Sequence, residues 1–308
     1  MRILITGGTG LIGRALIELM LPEGHEIIAL SRHPERAELP AGVILARWDG
    51  VHVDDWAQWM DGADAVVNLA GESIAGTGAI PARWTAKRKR RILESRVNAT
   101  RAVVAAMAGV QNRPDVLVQG SAVGRYGGRR DDLVLDEDAS PGNDFLARVT
   151  VQWEEASREV EALGVRLAIA RTGLVLSMEG GSLPPMLRSF KLFGGGPMGD
   201  GRQWWPWIHI RDEVRALAFL MTEPRARGPF NLTAPHPVTN REFALILGQA
   251  LRRPAFLPAP ASLLRLALGE MATLLLDGQR AMPKRLVELG FQFDFPKLEL
   301  ALRDLLRE

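Results

Sequence analysis

Gly7, Gly10 and Gly13 stand three apart in ILITGGTGLIGRALIELM, between an apolar run and an amphipathic one, and Gly8, Gly10 and Gly13 also satisfy G-x-G-x-x-G. Glycine at this spacing meets three needs: a tight turn, a backbone that can approach a pyrophosphate, and a helix packed close to its strand. The helix that follows would turn free N–H groups and the positive end of its dipole toward phosphate. Gly7, Thr9, Gly10, Leu11, Ile12 and Gly13 are therefore expected to contact a dinucleotide. About 20 residues later an NAD-binding chain usually carries an acidic residue for the ribose 2′-hydroxyl. Here the sequence reads LSRHPER instead. Ser31 and Arg32, supported by Arg36, suit a 2′-phosphate, so NADP(H) is the expected cofactor; the plainer reading of Arg32 is a surface arginine in a polar loop.

Other clusters offer weaker chemistry. VVNLAGE at 66–72 ends an apolar run in small residues, so Leu69, Ala70 and Gly71 could lie against a nicotinamide ribose. Glu72 and Arg83, in or near the same loop, could reach the cofactor or an acidic substrate. Asp49, in WDG, could meet the adenine amino group. Farther on, GDGRQWWPW gathers Arg202, Gln203, Trp204, Trp205 and Trp207 beside a glycine-rich loop. It reads equally as a pocket wall for a flat or sugar-like substrate and as an aromatic plug between lobes. His209 reads first as a structural histidine ahead of Asp212, the expected cap of a helix from residue 213, and second as a substrate contact. The run KRKRR at 87–91 opens a predicted helix whose next residues are apolar, which marks a solvated basic face.

The scaffold that must position these groups shows in the alternation of short β-type runs with helical ones. Strands are predicted at 2–6, 25–30, 43–47, 65–70, 116–120 and 166–171, with helices at 11–21, 85–108 and 147–163. That order specifies an α/β fold: a Rossmann-type, doubly wound parallel sheet with helices on both faces. After residue 172 glycine and proline cluster, and after Pro235 the pattern turns mostly helical, marking a smaller lobe. The expected division is a cofactor domain over 1–175, to which 203–235 returns, and a substrate-binding lobe from 176–202 and 236–308. With 47% hydrophobic and 24% charged residues, the 308-residue chain can bury an ordinary core. Lys+Arg 38 against Asp+Glu 36 is no nucleic-acid footprint. The chain has no cysteine and its five histidines show no ligand spacing, so no metal is expected. No run reaches the roughly 18 apolar residues of a membrane span, and no membrane partner is expected. With no signal-peptide pattern at the start, a cytoplasmic location is the expectation.

Together the opening glycines, NLAGE, GSAVGRYG (120–127), RTGLVLS (171–177), WPWIHIRDEVRA (205–216) and FNLTAPHPVTNREFA (230–244) resemble the extended short-chain dehydrogenase/reductases. More closely they resemble an atypical, epimerase-like (nucleoside-diphosphate-sugar epimerase-like) subgroup. Residues 268–306 are similar to its C-terminal domain of unknown function. The resemblance implies bound NADP and an oxidoreductase or epimerase-like reaction on a small carbonyl, hydroxyl or sugar-like substrate. It also implies a homodimer built on the helices near 85–108 and 147–163, although their stripes fit a monomer equally well. Ser121 would orient the substrate, provided GRY counts as a one-residue insertion before Gly127. Arg96 takes the place of the active-site asparagine, facing the nicotinamide or paired with Glu94 or Asp49.

The proton-transferring Tyr-x-x-x-Lys pair should fall on the helix beginning near Phe145. One register offers Phe145 and Val149, the other Leu146 and Thr150, and neither supplies the pair. Phenylalanine cannot transfer a proton. Tyr126 is the chain's one tyrosine, with Arg130 four residues on, and is the candidate substitute. A second reading is an NADP(H)-binding redox sensor without turnover.

Overall fold

The computed structural model of the chain describes residues 1–76 and 83–307. The six predicted runs form β1 (Arg2–Thr6), β2 (Glu26–Ser31), β3 (Ile44–Arg47), β4 (Ala65–Asn68), β5 (Val116–Ala122) and β6 (Arg166–Thr172), and β7 (Gly228–Leu232) joins them. Among the described residues these seven make one parallel sheet in the order β7-β6-β5-β4-β1-β2-β3. Strand order reverses between β1 and β4, which opens a crevice at their carboxyl ends.

Both faces of the sheet are covered, so alternate strand residues enter different cores. Ile3, Ile5, Val67, Val116 and Ala170 pack beneath α1 (Leu11–Met20) and a helix over Ile210–Thr222; Leu4, Ile28, Val66, Leu117 and Ile169 pack beneath a helix over Ala86–Gly109. Each fully buried aliphatic side chain adds roughly 1.5–3 kcal/mol. We label Ala86–Gly109 α2, Phe145–Glu155 α3, Ile210–Thr222 α4 and Asn240–Leu251 α5.

The predicted helix over 147–163 is two helices. α3 stops at Glu155 and a short helix follows at Glu159–Ala162. Between them the buried Ser157 donates its hydroxyl to Glu154 O, a local bond that competes with the helical ladder. The smaller lobe has its own core of Leu183, Phe190, Trp205, Trp207, Phe243, Leu247 and Leu298, while Leu286 and Phe291 insert beside Phe230 of the sheet. Hydrophobic contact therefore crosses the expected lobe boundary. No described helix is long and apolar enough to cross a membrane.

Candidate functional site

The crevice is built around glycine. Gly7 has φ +70°, and a Cβ there would lie 2.8 Å from Leu69 O; a Cβ on Gly13 would lie 2.4 Å from Gly7 O. Only glycine fits at either place, so β1, α1 and the end of β4 come together with no side chain between them. Gly10 is the N-cap of α1 and supplies no side-chain cap, which leaves the first N–H groups of the helix for a ligand. Thr9, Gly10, Leu11 and Arg14 border a hollow at this end, facing Glu179 of the smaller lobe. Arg14 and Glu179 escaped the sequence reading; the signal for Arg14 was a cation directly after the third glycine.

The tip of β2 is electropositive. Arg47 pairs with Glu35 at 2.8 Å and donates to Arg32 O. That engages the carboxylate nearest in sequence, and among the described residues no ion pair forms at Arg32 or Arg36. Ser31 is buried, its hydroxyl accepting from His33 N at 3.1 Å. Asp49 turns into its own loop, where the N–H of His52, the His52 ring and the N–H of Val51 hold its carboxyl down to about 2.

The floor of the crevice is a buried polar network. Thr6 donates to Asn68 Oδ1 at 2.5 Å, and Asn68 donates to Thr100 and Gln119, joining β1, β4, α2 and β5. Leu69 and Ala70 lie against Gly7, and Arg96 lies against Gly71, where an added Cβ would meet its guanidinium at 3.0 Å. Arg96 donates to Glu72 O and Ile92 O, and sits 5.1 Å above the Trp153 ring. Burial lowers its pKa to about 10, against the attraction of Glu72. Neither Glu94 nor Asp49 pairs with it: Glu94 faces Arg90, and Asp49 faces His52. Arg96 thus stays beside the crevice.

Other expected site residues have different partners. Glu72 is gripped by Arg91, with Nε to Oε2 at 3.0 Å. Arg83 donates to the carbonyls of Leu266 and Ala267, tying the two lobes instead of reaching a cofactor. Tyr126 is 1% exposed, donates to Asn231 Oδ1 at 2.7 Å and accepts from Arg171 at 3.0 Å. Burial raises its pKa, so it is a neutral interior link and not a crevice acid. Arg130 pairs with Asp277 across the lobes.

Ser121 donates to Glu154 Oε1 at 2.7 Å, and Glu154 binds Arg171 through both oxygens and Arg125 at 3.2 Å. Arg171 was missed. Its signal was a cation inside RLAIART, a strand covered on both faces, where a buried guanidinium demands a carboxylate.

Both registers of the Tyr-x-x-x-Lys pair are engaged inside the protein: Leu146 packs against the Phe145 cluster, and the buried Thr150 donates its hydroxyl to Leu146 O and Ala147 O. Phe145 and Val149 of α3 lie in one apolar cluster with Trp84, Ile92 and Met271, and the Trp84 and Phe145 rings are 5.2 Å apart. Met271 comes from the smaller lobe, which therefore packs on this end of α3.

Most of the tryptophan cluster packs inward. Trp205 packs on Phe243 at 4.9 Å and Trp207 is fully buried. Gln203 is 1% exposed and donates to Met198 O and Leu275 O. Trp204 is partly exposed, bonded to Asp132 and covered by Arg280, while Arg202 is exposed. His209, not Asp212, caps α4: its Nδ1 accepts from Arg211 N at 3.0 Å. Burial lowers its pKa to about 4, so the neutral ring turns Nε2–H toward Asp304, 3.3 Å away. Asp212 instead accepts from the N–H groups of Asp294 and Phe295, anchoring the C-terminal segment. Of KRKRR, Lys89, Arg90 and Arg91 form ion pairs and Arg88 binds loop carbonyls.

Residues 3–233 match the NAD dependent epimerase/dehydratase family, and residues 259–305 match a domain of unknown function, DUF1731. The chain is 37% identical over 317 residues to the epimerase family protein YfhF of Bacillus subtilis, covering 100% of this chain and 99% of that protein. It is 38% identical over 315 residues to the chloroplastic SDR39U1 homolog of Arabidopsis thaliana, covering 100% and 87%. The human epimerase family protein SDR39U1, solved with NADPH, superposes with a TM-score of 0.88 at 34% identity, covering 99% of each chain.

Proposed function

The chain belongs to the NAD dependent epimerase/dehydratase family, and from that premise we propose that it binds NADPH in the β1/β4 crevice and serves an oxidoreductase or epimerase-like reaction on a small carbonyl, hydroxyl or sugar-like substrate. The observation that carries this reading is the pairing of an uncapped α1 N-terminus with cations at Arg32 and Arg36 that form no ion pair among the described residues. The first suits a pyrophosphate and the second a 2′-phosphate. The human relative solved with NADPH supports the same choice. When bound, the nicotinamide would supply or accept hydride. The chain's own part is to hold the ribose against Leu69–Gly71 and to set Arg96 beside the reacting end, where a guanidinium stabilises developing negative charge on oxygen.

A second reading, a redox sensor without turnover, is favoured by the packed Phe145 and Val149 and by the internal bonding of Ser121 and Tyr126. Fluorescence titration with NADPH and NADH, followed by a panel of carbonyl compounds scored for NADPH oxidation, separates the two. Binding with turnover supports the enzyme, binding without turnover the sensor, and preference for NADH overturns the cofactor assignment.

A further inference from the structure

The outer end of the smaller lobe carries the most exposed large apolar side chains among the described residues. Leu192 is 81% exposed, Phe193 60%, Phe256 79%, Leu257 55%, Leu263 60% and Leu266 73%. They come from two stretches that are fastened together: Leu257 N donates to Gly195 O, Ala259 N to Pro197 O and Gly199 N to Ala259 O. The helix Ala261–Leu268 extends this surface and has no fully buried residue; its Leu263 and Leu266, three apart, share a face. Phe193 is held at φ 61°, a strained conformation for an aromatic residue, directly before Gly194, Gly195 and Gly196. A chain under no demand there would carry glycine or asparagine.

Cations outnumber carboxylates around this surface: the acids flanking its two stretches are Glu179, Asp200, Glu242 and Glu270, of which Glu270 pairs with Lys89 and Glu242 bonds to the Thr239 cap of α5. Residues 180–199 and 243–269 contain Arg188, Lys191, Arg252, Arg253 and Arg265 and no carboxylate. All five are exposed, and none forms an ion pair among the described residues. Arg253 lies 4.9 Å over the Phe193 ring, so cation and aromatic group stand side by side.

We propose that this end of the smaller lobe docks on an anionic lipid surface, with Leu192, Phe193, Phe256, Leu257, Leu263 and Leu266 entering the headgroup boundary and the five cations meeting lipid phosphates. Protruding leucine and phenylalanine tips ringed by arginine and lysine are the chemistry of interfacial binding, and the contact touches the bilayer without spanning it. A second copy of the chain fits less well, because a two-fold contact would bring the cations of one copy against the same cation-bearing patch of the other. The docking is independent of the cofactor crevice.

The test is co-sedimentation of the full chain with vesicles of phosphatidylcholine alone and of phosphatidylcholine mixed with phosphatidylglycerol. The expected result is binding to the anionic vesicles that salt weakens, with little binding to the neutral ones. Phe193→Asn with Phe256→Ser, two changes at exposed positions of which Asn accepts the left-handed backbone, should lower that binding about tenfold or more. Lys191→Gln with Arg253→Gln should lower it at unchanged melting temperature. No binding to either vesicle, equal binding to both, or a concentration-dependent dimer abolished by the Phe193 and Phe256 changes would each overturn the proposal.

Discussion

Ser121 Oγ stands 2.7 Å from Glu154 Oε1, and the same oxygen takes Arg171 Nε at 2.9 Å. The hydroxyl that the family resemblance assigns to a substrate is thus one branch of a buried ionic network. Removing the branch should cost less than removing its centre. Ser121→Ala is expected to lower stability by about 1 kcal/mol, the value of one hydrogen bond. Glu154→Gln leaves Arg171 and Arg125 with uncompensated charge and should cost about 3–5 kcal/mol. Urea unfolding of both variants checks the order; equal losses would show that Glu154 is not the hub.

Arg32→Ala tests the cofactor preference. A lost charge-assisted contact to a 2′-phosphate is expected to weaken NADPH by roughly 1–3 kcal/mol, while NADH, which has no such phosphate, changes little. Titration of both nucleotides reads the difference directly. Equal losses would remove the assignment.

Phe145→Tyr should not confer turnover on a carbonyl panel, because Val149 supplies no lysine and the ring faces Trp84. Val149→Lys places an ammonium in an apolar cluster with Met271 and Ile92 and should cost several kcal/mol. If Phe145→Tyr combined with Val149→Lys gave a stable, active protein, the smaller lobe would have to swing clear of α3.

Stability should depend on pH through two buried groups of opposite sign. Burial pushes Glu213 up to about 8, against a bond from Thr172, and lowers His209 to about 4. Between the unfolded glutamate value near 4.5 and pH 8 the native state holds the Glu213 proton while the unfolded chain has lost it, so stability falls as pH rises. Between about 4 and 6.5 the native state excludes the proton that unfolded histidine binds, so stability rises with pH there. The two slopes oppose below 6.5, and above it the His209 slope is gone while that of Glu213 continues. Glu213→Gln, which keeps an acceptor for Thr172, is expected to raise stability at pH 7.5 by about 1–3 kcal/mol and to flatten the 6.5–8 limb. Melting temperatures across pH 4–9 for both proteins decide this.

Much of the scaffold was legible. Period and spacing identified all six strands from β1 to β6, and the glycine triplet marked their crevice, because each of those signals is local. Side-chain destinations were less legible. Trp205 and Gln203 read equally as a pocket wall and as a plug, and His209 first as a structural histidine; only the fold shows that all three are buried. Glu72 and Arg83 sat in the expected loop, yet Arg91 and the carbonyls of Leu266 and Ala267 engage them.

What the amino-acid sequence determined by itself was the family's sheet, the dinucleotide turn and the absence of Tyr-x-x-x-Lys, since these depend on residue identity and near neighbours. Only the tertiary structure decided that Met271 fills the space beside Phe145 and Val149, and that Tyr126 faces Asn231 and Arg171. The reason is physical: a buried polar or apolar group is satisfied by whatever the fold brings within contact distance. Met271 lies more than a hundred residues beyond Phe145 along the chain, and no local pattern encodes that meeting.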